Sequence, residues 1–273
     1  MLVVGALHTP AQPRFGFAVW NVDRLYDTLP SPFHNDDDFT PEGRYRWTSE
    51  RYERKAAQIA AVLDSMAMPV VALAGIENEA VVRDLVARSR MDYSYIHRTI
   101  DSFDGLDFAL LYFGDLLEPL HIESGRRHLT VRARIAGEEF AFIICRRAGH
   151  LAETVEELTE AVPDIRIVVA GDLRDTDFDK AGLVDATLSL EHAGRGNALF
   201  NRGWVMAERI AATPSLTVDC EVYARRWLLD RSGAPAATFD GTVYKGGAGR
   251  RLPVAATIAL TNSGNPSKAL SAR

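Results

Sequence analysis

The sequence has few of the residues that mark disulfide-stabilised, metal-thiolate or membrane-spanning proteins. Its two cysteines, Cys145 and Cys220, lack metal-ligand spacing and are too few for a disulfide framework, which suits a reducing compartment. No apolar run approaches the roughly 18 residues of a membrane helix. The short apolar stretch at residues 2–7 also lacks the basic leader of a signal peptide. We therefore expect a cytoplasmic protein without a membrane partner.

The sequence also lacks an excess of positive charge. Its 31 Lys and Arg residues stand against 37 Asp and Glu residues, for a formal net charge of −6. This balance disfavours nucleic acid as a partner, because nucleic-acid binding depends largely on basic surfaces. The G-x-G-x-x-G, P-loop and G-x-S-x-G patterns are absent as well, so the sequence carries no signature of a dinucleotide, nucleoside triphosphate or serine-hydrolase site.

What the sequence does have is an alternation of strand and helix patterns. With 273 residues and 47% apolar residues, the chain is long enough for one large domain. We expect a leader over residues 1–14, a domain over 15–262 and a polar tail over 263–273. Helices are predicted at 49–66, 77–90 and 152–162, and strands at 14–22, 70–75, 107–113, 128–135, 139–146, 165–172, 186–190, 204–211, 217–223 and 253–260.

Seven segments resemble motifs of the endonuclease/exonuclease/phosphatase superfamily, in the family's order. They are similar to W-N-V-E-N-L-F-D at 20–27, D-x-x-F-T-P-E-G at 36–43, W-T-x-x-R-Y-x-x-K at 47–55, G-I-D-V-A-L-L-Y at 105–112, G-D-F-N-D at 171–175, W-x-M-x-D-Q-I at 204–210 and G-G-Y-S-D-H-L-P-V at 246–254. The resemblance is strongest to a bacterial subgroup. It implies an α/β fold, a four-layer sandwich of two packed mixed β-sheets flanked by helices.

The resemblance also implies a chemistry, metal-assisted hydrolysis of phosphate esters, in which carboxylates hold a divalent cation and an Asp-supported His helps to activate water. Most of the corresponding positions are substituted here. Asn21 and Asp172 keep the family's residues, whereas the metal-binding Glu of L-A-E-V-E-N corresponds to Gly75. The remaining substitutions are Arg146 for the hairpin His, Arg174 for the Asn of G-D-x-N, Glu208 and Arg209 for the Asp-Gln of D-Q-I, and Arg250 and Arg251 for the final Asp-His pair.

These substitutions predict the loss of the family's reaction. Arginine stays protonated at neutral pH and cannot act as a general base, and added guanidinium charge repels a dication. We expect no bound metal or other cofactor, and a cleft that binds an anionic small molecule or phosphorylated ligand. The expected ligand-binding residues are Arg146, Arg174, Arg209, Arg250 and Arg251, and the candidate catalytic residues are Asn21, Asp172 and Glu208.

Alternatives remain open from the residues alone. Arg251 and Glu208 could form a structural salt bridge in place of the Asp-His pair. The chain could also be an active hydrolase using Mg²⁺ or Mn²⁺ at a displaced site of Glu77, Asp172 and His150. A third alternative is a metal-independent enzyme with Asp172 or Glu208 as base. His34, with the acids at 36–38, has the chemistry of metal ligands, although an acidic loop is usually a solvated surface.

Overall fold

The structure is a computed structural model that describes residues 14–100, 102–147 and 149–260. The expected leader at 1–14, apart from Arg14, and the tail at 263–273 lie outside the described residues. The helices are α1 (Ser49–Met66), α2 (Glu79–Arg88), α3 (Leu151–Ala161) and α4 (Leu188–His192). The strands are β1 (Arg14–Leu25), β2 (Val70–Ile76), β3 (Tyr93–Arg98), β4 (Asp107–Phe113), β5 (Leu117–Gly125), β6 (His128–Ile135), β7 (Glu138–Arg146), β8 (Arg166–Asp172), β9 (Val184–Asp185), β10 (Ala198–Phe200), β11 (Gly203–Val205), β12 (Glu208–Ala212), β13 (Leu216–Val222), β14 (Phe239–Asp240), β15 (Val243–Tyr244) and β16 (Val254–Leu260).

Two six-stranded sheets form the centre of the molecule. Sheet 1 has the order β13-β16-β1-β2-β4-β3, and sheet 2 has the order β5-β6-β7-β8-β12-β9. Both are mixed: the pairs β1–β2 and β7–β8 are parallel, whereas their other neighbours run antiparallel. The inner faces of the two sheets share one apolar core that includes Phe17, Phe142 and Ile210.

Helices cover the outer faces of both sheets. In α1, the buried residues Ala56, Ile59 and Leu63 recur at helical spacing and pack with the outer residues of sheet 1, together with α2. Helix α3 packs on the outer face of sheet 2 through Leu151 and Val155. The result is the predicted four-layer α/β sandwich, so the expected fold class is confirmed.

Local patterns placed most elements correctly. The predicted helix at 49–66 matches α1, and the predicted hairpin forms between β6 and β7 around Ala136 and Gly137, which both have positive φ angles. The strand predicted at 186–190 is wrong, because that segment contains the start of α4 after the two-residue strand β9. A short apolar run does not distinguish a strand from a buried helical turn.

None of the helices in the described ranges is both long enough and apolar enough to cross a membrane.

Candidate functional site in the cleft between the sheets

One end of the sandwich carries polar side chains on the same inner faces that form the apolar core. Side chains two positions apart along a strand share a face. Asn21 therefore continues the inward row of β1 after Val19, and Asp172 continues that of β8 after Ala170. The same alternation places Arg146 at the end of β7 and Glu208 at the start of β12 on the inner face of sheet 2. We call this end of the sandwich the cleft.

Arg251 binds the two carboxylates of the cleft at once. Its Nη1 donates to Oε1 of Glu208 at 2.5 Å, and its Nη2 donates to Oδ2 of Asp172 at 3.1 Å. The Glu208 side chain is only 1% exposed, whereas those of Asp172 and Arg251 are 20% and 22% exposed. The salt bridge between Arg251 and Glu208 that the sequence suggested is therefore present in the structure, and Asp172 is an additional partner of Arg251.

Asn197 completes this ion-pair group, and sequence reasoning missed it. Its side-chain nitrogen donates to Oε2 of Glu208 at 2.5 Å and to the carbonyl of Leu252 at 3.0 Å. Its side-chain oxygen accepts the backbone N–H of Ala207 at 2.8 Å. Both oxygens of Glu208 are thus hydrogen-bonded. Nothing in the segment around Asn197 signals this role, because its partners lie 10 to 55 residues along the chain.

The ion pair also sets the protonation equilibria of this group. Burial alone would lower the pKa of Arg251, but Glu208 and Asp172 outweigh it and hold the pKa above its usual value. Burial raises the pKa of Glu208, while Arg251 and Asn197 act in the opposite direction. Arg251 therefore stays charged at neutral pH, and its single positive charge is shared between the two carboxylates.

The residues around Asn21 do not fit the family's metal ion. Asn21 accepts the backbone N–H of Asp23 at 3.0 Å, which holds a turn with positive φ angles. Gly75, at the position of the metal-binding Glu, has φ +81°, and a Cβ there would lie 2.7 Å from Oδ1 of Asn21. The cleft thus lacks that carboxylate, and Arg251 already occupies the carboxylates of Asp172 and Glu208.

Arg146 belongs to a group of arginines at one side of the cleft. It donates to Oδ2 of Asp104 at 2.8 Å and lines a cavity of about 550 Å³. The described residues that line this cavity include four arginines and one acid: Arg126, Arg127, Arg146, Arg147 and Asp104. Only Arg146 of these arginines was expected at the site. The others come from the β5–β6 turn and from the end of β7, which the sheet brings side by side.

The other predicted arginines divide between the cleft and its surroundings. Arg174 donates to Oδ1 of Asp172 at 3.2 Å and is 43% exposed, so it lies at the rim. Arg250 faces away from the ion pair, because its side chain donates to the carbonyl of Phe239 and lines a different cavity.

Arg209 corrects the expectation of five arginines around one cleft. As the neighbour of Glu208 in β12, it points to the opposite face of sheet 2. There it is paired with Asp185 at 2.7 Å and with Glu191 at 2.6 Å. These acids bind the guanidinium on the outer side of the sheet, so Arg209 cannot take part in a site between the sheets.

The displaced metal site of Glu77, Asp172 and His150 does not form. His150 lies beside the start of α3, 83% exposed, and its side chain contacts Glu153. Glu77 instead lies near His34 and Asp36, whose potential ligand atoms are within 4.8 Å of one another and of those of Glu77. Burial, together with the neighbouring Asp27 and Asp36 carboxylates, raises the pKa of Glu77 to about 8.

A buried His–Asp pair also lies at this end of sheet 1 and was not anticipated. Nε2 of His97, at the end of β3, is 2.9 Å from Oδ2 of Asp107, at the start of β4. The other carboxylate oxygen accepts the backbone N–H of Ile100 at 2.9 Å. The His97 side chain is 5% exposed, so this pair holds the β3–β4 connection rather than presenting a reactive group.

Comparisons with known proteins agree with this architecture. Residues 16–146 match the model of the Endonuclease/Exonuclease/phosphatase family. No curated protein matches the chain in sequence. A family protein from Bacteroides thetaiotaomicron has a TM-score of 0.62 and 14% identity, with 92% of this chain and 100% of that chain covered. Humanised TDP2 from D. rerio has a TM-score of 0.61 and 16% identity, with coverages of 90% and 98%.

A third similar structure is described as a mannosyl-6-phosphatase from Bacteroides thetaiotaomicron, with a TM-score of 0.60 and 13% identity. The alignment covers 89% of this chain and 99% of that one. At these identities the structures establish the fold alone. The resemblance noted in the sequence is nevertheless confirmed: this chain has the fold of the endonuclease/exonuclease/phosphatase superfamily and matches its family model over residues 16–146.

Proposed function

We propose that this protein uses the endonuclease/exonuclease/phosphatase cleft to bind an anionic, phosphate-bearing ligand, and that it has lost metal-dependent hydrolysis there. The observation that carries the proposal is the double ion pair of Arg251 with Asp172 and Glu208. A guanidinium that pairs with both carboxylates occupies the ligands of a dication and repels the ion itself. Arginine also cannot replace the general-base imidazole that the family has at this position.

The arginine cavity supports the ligand class. Guanidinium groups bind phosphate and carboxylate oxygens through paired, charge-assisted hydrogen bonds. A cavity of about 550 Å³ is of the size that accommodates small-molecule ligands. Of the arginines that line it, Arg146 is paired with Asp104, whereas Arg127 and Arg147 lie on adjacent strand ends. One of the similar structures is a mannosyl-6-phosphatase, and we therefore choose phosphorylated small molecules to test binding.

The geometry gives less support to a metal-independent enzyme. Both oxygens of Glu208 are engaged, by Arg251 and by Asn197, and the side chain is buried. Asp172 is bound by Arg251 and by Arg174. A general base needs a free lone pair within reach of the substrate proton. The arginine partners of both carboxylates stabilise the ionised form and so weaken each as a base, which makes binding without turnover the simpler function.

The first experiment tests binding. Calorimetry with inorganic phosphate and with a hexose 6-phosphate should give saturable binding, which Arg127→Ala weakens by about tenfold or more, the effect of losing one charge-assisted hydrogen bond. The matched control is Arg134→Ala, because Arg134 is a half-exposed arginine paired with Glu118 away from the cavity. Absence of binding, or equal loss in both variants, contradicts the anion site.

The second experiment tests hydrolysis. A generic phosphodiester and a phosphomonoester are incubated with the protein in the presence of Mg²⁺ or Mn²⁺, and we expect no turnover above that of the buffer. Asp172→Asn serves as the comparison, because Asp172 retains the family's residue. Metal-dependent turnover that disappears in Asp172→Asn would show that the cleft is an active hydrolase and would overturn the proposed loss.

A further inference from the structure

A histidine and two acids lie together where the loop that follows β1 meets the end of β2. They are His34, Asp36 and Glu77, and one ligand atom from each lies within 4.8 Å of the others. Asp36 and Glu77 are 3% and 4% exposed. Glu77 follows β2, whereas His34 and Asp36 come from the loop, so the group joins two parts of the chain. None of the three residues takes part in the ion pair of Arg251 in the cleft.

Each of the three side chains is oriented by a hydrogen bond through one atom and leaves another atom available. Nδ1 of His34 is 3.2 Å from Oγ of Ser31, and Oδ1 of Asp36 accepts the N–H of Ser31 at 2.9 Å. Oε2 of Glu77 accepts the N–H of Asp27 at 2.6 Å. Metal-binding side chains are oriented in this way, with the outer atom held by a neighbour and the inner atom directed at the ion.

The inner atom of His34 lacks a hydrogen-bond partner. Nε2 of His34 is fully buried and has no hydrogen-bond partner among the described residues, and it lies 3.5 Å from Oε1 of Glu77. In the described part of the chain, neither Asp36 nor Glu77 is paired with Lys or Arg. Glu77 and Asp36 share a side-chain hydrogen bond, whereas the buried nitrogen of His34 has no such partner. A buried nitrogen without a partner is costly, and a cation bound by all three side chains would satisfy it.

The surroundings are shaped to hold the imidazole in this position. Gly105 has φ +61°, and a Cβ there would lie 2.2 Å from the His34 ring, so only glycine allows the loop to close over it. Tyr26 lies on another side, with its ring centroid 6.4 Å from that of His34. The Gly105 loop and Tyr26 therefore hold the imidazole on two sides.

We propose that His34, Asp36 and Glu77 bind one divalent transition-metal ion that fastens the loop after β1 to the end of β2. One imidazole nitrogen and two carboxylate oxygens suit Zn²⁺ best and Mn²⁺ next, with water completing the coordination. The ion has a structural role, and its binding does not depend on whether the cleft is active.

The test is calorimetry of the EDTA-treated full-length protein with Zn²⁺ and with Mn²⁺, together with thermal unfolding in each metal. We expect one ion per chain and a rise in Tm with metal concentration. Glu77→Gln, which keeps the shape and an acceptor for Asp27, should weaken binding by at least about tenfold, as should His34→Ala. His150→Ala is the control, because His150 is an exposed histidine beside an acid.

Each outcome of these measurements either supports or overturns the metal site. Saturable binding that is lost in Glu77→Gln and His34→Ala but kept in His150→Ala supports the site. No saturable binding of either metal by the folded wild type overturns it and leaves a proton-shared His–carboxyl cluster. Binding that survives both variants also overturns it. Because neither variant touches Arg127 or Asp172, phosphate binding and hydrolysis measured on the same samples report on the proposed function independently.

Discussion

Replacing Arg251 with methionine should destabilise the protein strongly at neutral pH. The change removes the guanidinium that pairs with Asp172 and Glu208, and the Glu208 side chain is only 1% exposed. Breaking a buried pair by removing one partner costs about 3–5 kcal/mol. Asp172 and Arg251 are about one-fifth exposed, so water lowers this cost, and we expect about 2–3 kcal/mol. At about 2–4 °C per kcal/mol, Tm should fall by about 4–12 °C.

The assay is urea unfolding of Arg251→Met, Glu208→Gln and the double variant. Gln at position 208 removes the buried charge and keeps an oxygen that accepts from Asn197. The loss of stability in the double variant should therefore be smaller than the sum of the losses in the two single variants, by a coupling energy of about 1–3 kcal/mol. Arg174→Met is the matched control, because Arg174 pairs with Asp172 but is 43% exposed. We expect it to cost less than about 1 kcal/mol.

The pH dependence provides a second check on the same reasoning. Burial raises the pKa of Glu208, and loss of Arg251 removes the largest opposing influence. The carboxyl group of the variant can then take up a proton in the folded state, so the defect of Arg251→Met should be smaller at pH 5 than at pH 8. The reasoning is refuted if Arg251→Met lowers the free energy of unfolding no more than Arg174→Met does. It is also refuted if Arg251→Met is equally destabilising in the wild type and in Glu208→Gln.

Two further predictions concern the turns beside the cleft. Burial lowers the pKa of Lys55 from 10.5 to about 8. Its ammonium donates to the carbonyls of Asp23 and Arg24. Between pH 8 and 10.5 the unfolded chain therefore holds more protons than the folded protein, and the stability of the wild type should rise with pH. Measured by urea unfolding, the free energy of unfolding of the wild type should increase by up to about 3 kcal/mol relative to that of Lys55→Met across this range. The same pH dependence in both proteins would contradict this. Gly75→Ala should lower the free energy of unfolding by about 1–3 kcal/mol in the same assay, because φ is +81° and the added Cβ would crowd Asn21. Gly114→Ala is the control and should cost less, because its Cβ would meet only Ser94. Equal losses in the two variants would contradict backbone strain at Gly75.

Much of the framework was predictable because it rests on local patterns. Helix α1 and the β6–β7 hairpin were predicted from periodicity and turn residues that lie within a few positions of one another. Strand β5 was missed because most of its residues are exposed, so it lacks an alternating apolar face. The segment 186–190 was misassigned because its leucines fit a strand and a short helix equally well.

The candidate site was predictable only in part. The family motifs pointed to Asp172, Glu208 and Arg251, which the structure brings together. Strand alternation could have excluded Arg209, because adjacent residues of a strand cannot both face the cleft. Asn197, Arg127 and the other cavity arginines had no signal in sequence, since their positions depend on how distant strand ends meet.

By itself the sequence determined most of the helices and core strands, the family resemblance that implies a sandwich of two sheets, and the substitution of arginines for the family's acid–base groups. Periodicity and motifs carry that information along the chain. Only the tertiary structure decided that Arg251 pairs with two carboxylates, that Arg209 lies outside the cleft, and that His34 and Asp36 meet Glu77. The reason is physical: whether a charge is free, paired or buried depends on side chains that lie tens to hundreds of residues away in sequence.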